Sequence, residues 1–348
     1  ELTKTEMSLG KGSRCLWGQM KNIFLYAGSI IKKEKQGVRS AMKIPDIINR
    51  FFQFVELRTK ITSLFAFFMS LAYLFYLRQP IDAERTVLFF CSMFLLDLTT
   101  TAINNYIDSK DGDQELPFSR GNAKLIIYFM LAAGIGFGLL LAYRTDLVVL
   151  LLGGLCFLCG VFYTWGPVPI SRLPLGEVFS GIFYGLFIPF LVFYINMPPG
   201  TFLTLTAGWH KISLELNLGP ALSLLLFSAG PVCATANIML ANNTCDLKKD
   251  IAAGRHTLAY FLGKKTLDIF AGLYYMTYLT WTAAIMLKIL SPVCLPALFT
   301  IIPVHKNIRR FRSEQIKEKT FVLSVQNYIL LVGGQTLAIF LSGLLMYV

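Results

Sequence analysis

Charge is scarce in this chain. Only 15% of its 348 residues are Asp, Glu, Lys or Arg, where soluble domains carry about 25%, so little of the sequence suits a water-facing surface. Histidine is scarcer still: His210, His256 and His305 are the only three and stand far apart, which argues against a histidine-built metal centre. Cysteine gives no disulfide framework, because Cys91, Cys156, Cys159, Cys233 and Cys294 all fall inside apolar runs. Cys156 and Cys159 make a C-x-x-C, but within "LLGGLCFLCGVFY" the pair reads as small-residue helix packing. Also missing is the ten-residue alternation of polar and apolar residues that marks an outer-membrane barrel.

What is present is apolar: 55% of the residues are hydrophobic. Runs of about 17 to 25 such residues recur, each long enough to cross about 30 Å of hydrocarbon as a helix. The expected spans are 57–77, 84–106, 123–142, 146–164, 174–195, 219–242, 266–287, 289–305 and 322–347, with the seventh and eighth hardest to separate. The fold class is therefore all-α, a polytopic membrane bundle of about nine helices.

Lys and Arg are retained on the cytoplasmic side of such bundles. With the N-terminus inside, all of the 32 cations except Arg78, Arg85, Arg144, Lys211 and Lys288 fall in cytoplasmic segments, and the C-terminus is expected outside. The net charge of +12 thus reports topology and contact with anionic lipid, with no need for a nucleic-acid partner. Residues 1–41 are polar and basic, and their one apolar run, "NIFLYAGSII", is too short to span. They read as an N-terminal extension, and the membrane domain is expected at 42–348, opening at Met42.

The acids are not spread evenly. "NNYID" at 104–108 and "NNTCD" at 242–246 share the pattern N-N-x-x-D, each at the cytoplasmic end of an expected helix and each succeeded by more acids and an arginine. The repetition suggests two halves facing one cavity. Asn242, Asp246 and Asp250 stand at i, i+4 and i+8 and so share a helix face; Asn104 and Asp108 have the same spacing, with Asp111 next. Oxygen ligands on facing helix ends suit Mg²⁺, which is commonly held by one or two carboxylates together with substrate phosphates. Lys110, Arg120 and Lys124 flank the first cluster, and Lys248, Lys249, Arg255 and Lys264 the second. Such cations make charge-assisted bonds to phosphate oxygens, although each also fits as a positive-inside anchor. Carboxylates and cations together point to a metal-bridged diphosphate.

"NNYIDSKDGD" and "NNTCDLKKDIAAGRHTLAYFLG" resemble the two aspartate-rich motifs of the UbiA superfamily of intramembrane prenyltransferases. The second is most similar to the branch that prenylates 1,4-dihydroxy-2-naphthoate in menaquinone synthesis. "VELRTKITS" and "FYTWGPVPISRLPLGEVFSGIFYG" agree with that branch, and the resemblance covers about residues 45–348. The family's first motif often reads N-D-x-x-D, whereas Asn105 fills the second position here, and either Asp111 or Asp113 supplies the distal acid.

The resemblance implies a central cavity, open to the cytoplasmic side, that binds polyprenyl diphosphate with Mg²⁺. It places Asn104, Asp108, Asp111, Asn242, Asp246 and Asp250 at the metal, with Asp108, Asp246 and Asp250 essential for reaction. It places Lys110, Arg120 and Arg255 at the diphosphate, Lys60 and Arg58 at the diphosphate or the acceptor carboxylate, and Tyr163 and Glu177 in the acceptor pocket. The setting it implies is a bacterial cell membrane. Two alternatives are weighed against it: a UbiA-type enzyme for another acceptor such as 4-hydroxybenzoate, and a transporter, which acids gathered at one membrane face disfavour.

Overall fold

A backbone in hydrocarbon has to satisfy its own N–H and C=O groups, so continuous apolar runs become helices. The structure, a computed structural model, describes residues 44–109, 115–164, 169–208 and 210–345. The expected extension at residues 1–41 lies outside the described residues. The chain divides into two units, one ending at Phe51 and the other beginning at Phe52. The amphipathic helix α1 (Ile44–Phe54), with Asp46 in its first turn, runs across that boundary.

Beyond it come α2 (Ile61–Tyr76), α3 (Ala83–Asp108), α4 (Arg120–Arg144), α5 (Leu147–Thr164), α6 (Gly176–Asn196) and α7 (Leu218–Cys245). Two short helices, α8 (Leu247–Ala252) and α9 (Leu258–Leu262), precede α10 (Thr266–Met286), α11 (Ile301–Ser313) and α12 (Phe321–Leu345). Every expected span coincides with a helical stretch. Among the described residues α3, α4, α6, α7 and α12 are long and apolar enough to cross a membrane, and α2 and α5 are shorter apolar helices.

The boundaries have local causes. Asp82 caps α3 by accepting from Arg85 N at 3.0 Å, and Ser119 caps α4 by accepting from Asn122 N at 3.4 Å. The eighth stretch differs from expectation. It opens as 3₁₀ helix at Pro292–Thr300 and continues through α11 to Ser313, well past residue 305. Pro292 and Pro296 lack the N–H an α-helix needs, which favours the tighter winding. The connection between α6 and α7 is a second difference: in place of the all-α pattern, β1 (Leu203–Ala207) and β2 (Ile212–Leu216) pair antiparallel, with Leu203 opposite Leu216. "LTLTA" and "ISLEL" alternate with the period of two that a strand requires.

α7 is the hub: it packs against α6, α10 and α12, while α2 packs against α6 and α12. The approach of α6 to α7 depends on Gly185, since a Cβ there would run into the backbone of Val232 and Pro231. Buried polar side chains tie the helices crosswise. Asn237 Nδ2 donates to Phe270 O at 3.0 Å, Tyr328 Oη to Thr62 O at 2.9 Å and Trp281 Nε1 to Cys294 O at 3.2 Å. Each such bond contributes about 0.6 kcal/mol in a membrane interior, a modest gain that also fixes register. The six cysteines among the described residues are all free thiols.

Candidate functional site

α3 and α7 bring their motif-bearing ends to one cavity of about 680 Å³. α7 ends at Cys245, and Asp246, with φ −90° and ψ 4°, bends the chain into α8. The hydrogen-bond ladder survives the bend: Asp246 N donates to Asn242 O at 3.0 Å and Asp250 N to Asp246 O at 2.9 Å. The i, i+4, i+8 relation therefore holds, and Asn242, Asp246 and Asp250 all line the cavity, joined by Asn104 and Arg255. Deeper along α3 the lining turns apolar, with Phe89, Met93 and Leu96 meeting Phe157, Phe183 and Leu191.

The second asparagine of each motif faces inward. Asn105 is buried and its Nδ2 donates to Phe54 O at 3.0 Å. Asn243 is buried and its Nδ2 donates to Glu177 Oε1 at 2.8 Å. An aspartate at position 105 has no proton to give that carbonyl, which accounts locally for Asn105 where the motif is more often acidic.

Each motif aspartate has a cation from far along the chain. Arg255 Nη2 lies 3.4 Å from Asp108 Oδ1, joining the two motifs directly. Lys317, from the turn between α11 and α12, places its ammonium 2.5 Å from Asp246 Oδ2 and also donates to Asn242 Oδ1. Asp250 is 8% exposed; burial pushes its carboxyl above the ordinary value against the pull of Arg255, and Asp246 adds to the rise.

A second polar group lies in the same cavity, nearer its middle. Lys60 Nζ pairs with Asp97 Oδ1 at 3.1 Å and donates to Asp97 O at 3.0 Å and to Thr101 Oγ1. Asp97 also accepts from Tyr184 Oη at 2.8 Å and from Ser63 Oγ at 2.6 Å. Lys60 and Asp97 are 2% and 7% exposed, so this is an ion pair withdrawn from water. Removing one partner from such a pair costs about 3–5 kcal/mol.

Of the other sequence candidates, Tyr163 lines the cavity and its hydroxyl donates to Met239 Sδ at 3.5 Å. Glu177 sits behind Asn243, and its Oε2 is buried without a hydrogen-bond partner among the described residues. Arg120 is exposed at the first motif, 4.6 Å above the Tyr106 ring, and donates to Ser109 Oγ at 3.3 Å. Lys110 and Asp111 lie outside the described residues, as does the side chain of Arg58. Sequence reasoning missed Asp97, Tyr184 and Lys317. Asp97 carried a signal: it is an acid in the middle of an expected span, where ionisable residues mark function. Lys317 carried none beyond its charge.

The residues fit a hard cation that shares its coordination with phosphate. Asn242 and Asp246 direct two oxygens at one point, and the Lys317 ammonium stands between them as a cation of the chain's own. Among the described residues no group of three His, Cys, Asp or Glu side chains is gathered to hold a metal unaided. Mg²⁺ is commonly bound through one or two carboxylates with the rest supplied by substrate and water, a pattern that Asn242 and Asp246 fit.

Comparison with known proteins agrees with the fold and identifies the family. The model of the UbiA prenyltransferase family matches residues 63–344. The chain is 26% identical to 1,4-dihydroxy-2-naphthoate octaprenyltransferase of Bacillus subtilis (strain 168) over 243 residues, 66% of this chain and 71% of that protein. It is 28% identical to UbiA prenyltransferase domain-containing protein 1 of Dictyostelium discoideum over 248 residues, 64% of this chain and 67% of that one. Among solved structures, a UbiA homologue from Aeropyrum pernix K1 superposes with a TM-score of 0.56 at 19% identity, covering 78% of this chain and 96% of that one. A homologue from Archaeoglobus fulgidus bound to DMAPP and Mg²⁺ gives a TM-score of 0.52 at 15% identity, covering 83% and 99%.

Proposed function

This chain belongs to the UbiA prenyltransferase family, an integral membrane protein and intramembrane prenyltransferase, and from that premise we propose that it prenylates 1,4-dihydroxy-2-naphthoate. The donor is polyprenyl diphosphate, the products are demethylmenaquinol, CO₂ and diphosphate, and the reaction requires Mg²⁺. One observation carries the reading: Asn104 of the first motif and Asn242, Asp246, Asp250 and Arg255 of the second line one cavity whose remaining wall is largely apolar, and Arg255 reaches Asp108 of the first motif at 3.4 Å. That is the shape of a ligand with a charged head and a hydrocarbon tail. The similarity to the Bacillus subtilis enzyme supports the acceptor, and the DMAPP and Mg²⁺ bound to the Archaeoglobus fulgidus homologue support the donor class and the metal.

Asn242, Asp246 and Asp250 would hold Mg²⁺ from one side and Asn104, Asp108 and Asp111 from the other. When bound, the metal supplies positive charge to the leaving diphosphate. The protein adds its own cations: Arg255, with Arg120 and Lys110, would offset the charge that builds on the diphosphate as the allylic C–O bond breaks. Phe157, Phe183 and Leu191 keep water from the allylic cation, and the ring faces favour positive charge.

The acceptor lies beside the buried Lys60–Asp97 pair. Tyr184, fixed by its bond to Asp97, and Tyr163 bound the naphthalene ring, while Glu177 acts through Asn243. Lys60, its charge balanced by Asp97, anchors that region, and Arg58 is the proposed partner of the acceptor carboxylate. The ring carbon bearing the carboxylate donates its pair to the allylic carbon; CO₂ then leaves, and the electrons of its bond restore the aromatic ring. The acidic end faces the cytoplasm, with the N-terminus on that side and the C-terminus on the other, and residues 42–348 carry the activity.

The test is purified protein in nanodiscs with a long-chain prenyl diphosphate, Mg²⁺ and either 1,4-dihydroxy-2-naphthoate or 4-hydroxybenzoate, with products identified by mass. Product from the naphthoate alone, lost in Asp246→Ala, is the expected result. Product from 4-hydroxybenzoate alone overturns the acceptor assignment, and product from neither overturns the reading.

A further inference from the structure

The Lys317 ammonium occupies the point between Asn242 Oδ1 and Asp246 Oδ2 where the proposed function puts a metal. We propose that Lys317 is a tethered counter-ion of the second motif: it balances Asp246 while the site holds no substrate, yields its place to the metal, and then binds the diphosphate. The inference rests on the metal and diphosphate reading of this cavity and adds a residue and an order of events to it.

Three features separate this role from that of an ordinary surface ion pair. First, the turn that presents Lys317 is tied down. Thr320, 1% exposed, accepts from Ile316 N at 2.9 Å and donates to Ile316 O at 3.1 Å, and Gln315 Nε2 donates to Arg312 O at 3.0 Å. The backbone is fixed, so movement belongs to the four-carbon side chain. Second, the ammonium uses the same two oxygens that Mg²⁺ would use. Metal and ammonium cannot share them, since Mg²⁺ requires oxygens at about 2.0–2.1 Å and two cations at such separation repel strongly.

Third, the displaced ammonium keeps partners nearby. The Phe321 ring centroid is 5.0 Å from Nζ, and the side chain, 35% exposed, is free to turn towards the cavity. A diphosphate held at Asp246 would meet it there as a charge-assisted acceptor, a use to which lysine is well suited. Competition with metal and cooperation with diphosphate are opposite effects of one side chain.

That opposition supplies the test. Mn²⁺ binding without diphosphate, monitored by electron paramagnetic resonance, and binding of inorganic diphosphate at saturating Mg²⁺, measured by calorimetry, are compared in wild type, Lys317→Met, Lys317→Arg and Asp246→Ala. Removing the competitor raises Mn²⁺ affinity about fivefold in Lys317→Met, and removing the phosphate partner lowers diphosphate affinity about tenfold. Lys317→Arg keeps diphosphate affinity within about twofold of wild type. Both affinities unchanged, or both weakened together in Lys317→Met, overturn the inference. Unchanged Mn²⁺ binding in Asp246→Ala overturns the metal reading beneath it, and a loss there with parallel changes in Lys317→Met overturns the role of Lys317 alone.

Discussion

At the end of α3, Asp108 is reached by one arginine at 3.4 Å and Arg120 stacks in the open over Tyr106. At the end of α7, Asn242 and Asp246 grip an ammonium and Asp250 is nearly withdrawn from solvent. The same five-residue pattern thus gives a shorter ion pair at Asp246 and a longer one at Asp108, although the two carboxylates are about equally exposed, at 28% and 27%. α7 continues through the Asp246 bend into α8, which keeps Asp250 in register with Asn242, while along α3 the ladder is described as far as Ser109. Repetition in sequence therefore need not mean equal duty: with its shorter ion pair Asp246 marks the firmer metal-holding side of the proposed site, and Asp108 the weaker one.

The sharpest way to break that comparison is to remove one carboxylate from each end. Asp246→Ala should lower Mg²⁺-dependent prenyl transfer on the order of 10³-fold and Asp108→Ala about tenfold, read as initial rates of product by mass. Equal losses at the two ends would abolish the distinction.

Next in size is the buried Lys60–Asp97 pair in the same cavity. Asp97→Asn leaves Lys60 charged without its carboxylate and should cost about 3–5 kcal/mol, seen as a lower unfolding temperature in detergent. Lys60→Met combined with Asp97→Asn should recover part of that loss, because no lone charge then remains.

Asn105→Asp sharpens the comparison at the residue where the first motif departs from its family. It brings in the more usual acid but sets a carboxylate against Phe54 O, so stability should fall by about 1–3 kcal/mol, measured by the same melting experiment. The smallest effect belongs to the rim. Arg120→Ala removes a stacked, exposed cation worth about 0.5–1 kcal/mol, and should raise KM for the prenyl diphosphate about threefold with kcat nearly unchanged.

Much of this was legible in the sequence, for physical reasons that also mark the limits. Apolar runs long enough for a bilayer each marked a helical stretch, though not the shorter α1, α8 and α9, and the four-residue spacing of Asn242, Asp246 and Asp250 reported their shared face. The hairpin at 203–216 was legible too, since its alternation is a strand signal that the surrounding apolar runs overshadowed. Long-range pairings were not. Lys317 meets Asp246 across 71 residues of chain and Arg255 meets Asp108 across 147, and charge alone cannot say which of many basic residues a fold will deliver to a carboxylate. Glu177 was visible as an acid near a helix start, but its bond to Asn243 depends on the close approach of α6 to α7 at Gly185.

The most direct measurement is the fate of the acceptor's carboxylate. With 1,4-dihydroxy-2-naphthoate labelled with ¹³C at the carboxyl carbon, a polyprenyl diphosphate and Mg²⁺, labelled CO₂ and demethylmenaquinol should form in equal amounts, and neither should form without Mg²⁺ or in Asp246→Ala. A prenylated product that keeps the label, or no prenylated product at all, would contradict the proposed reaction.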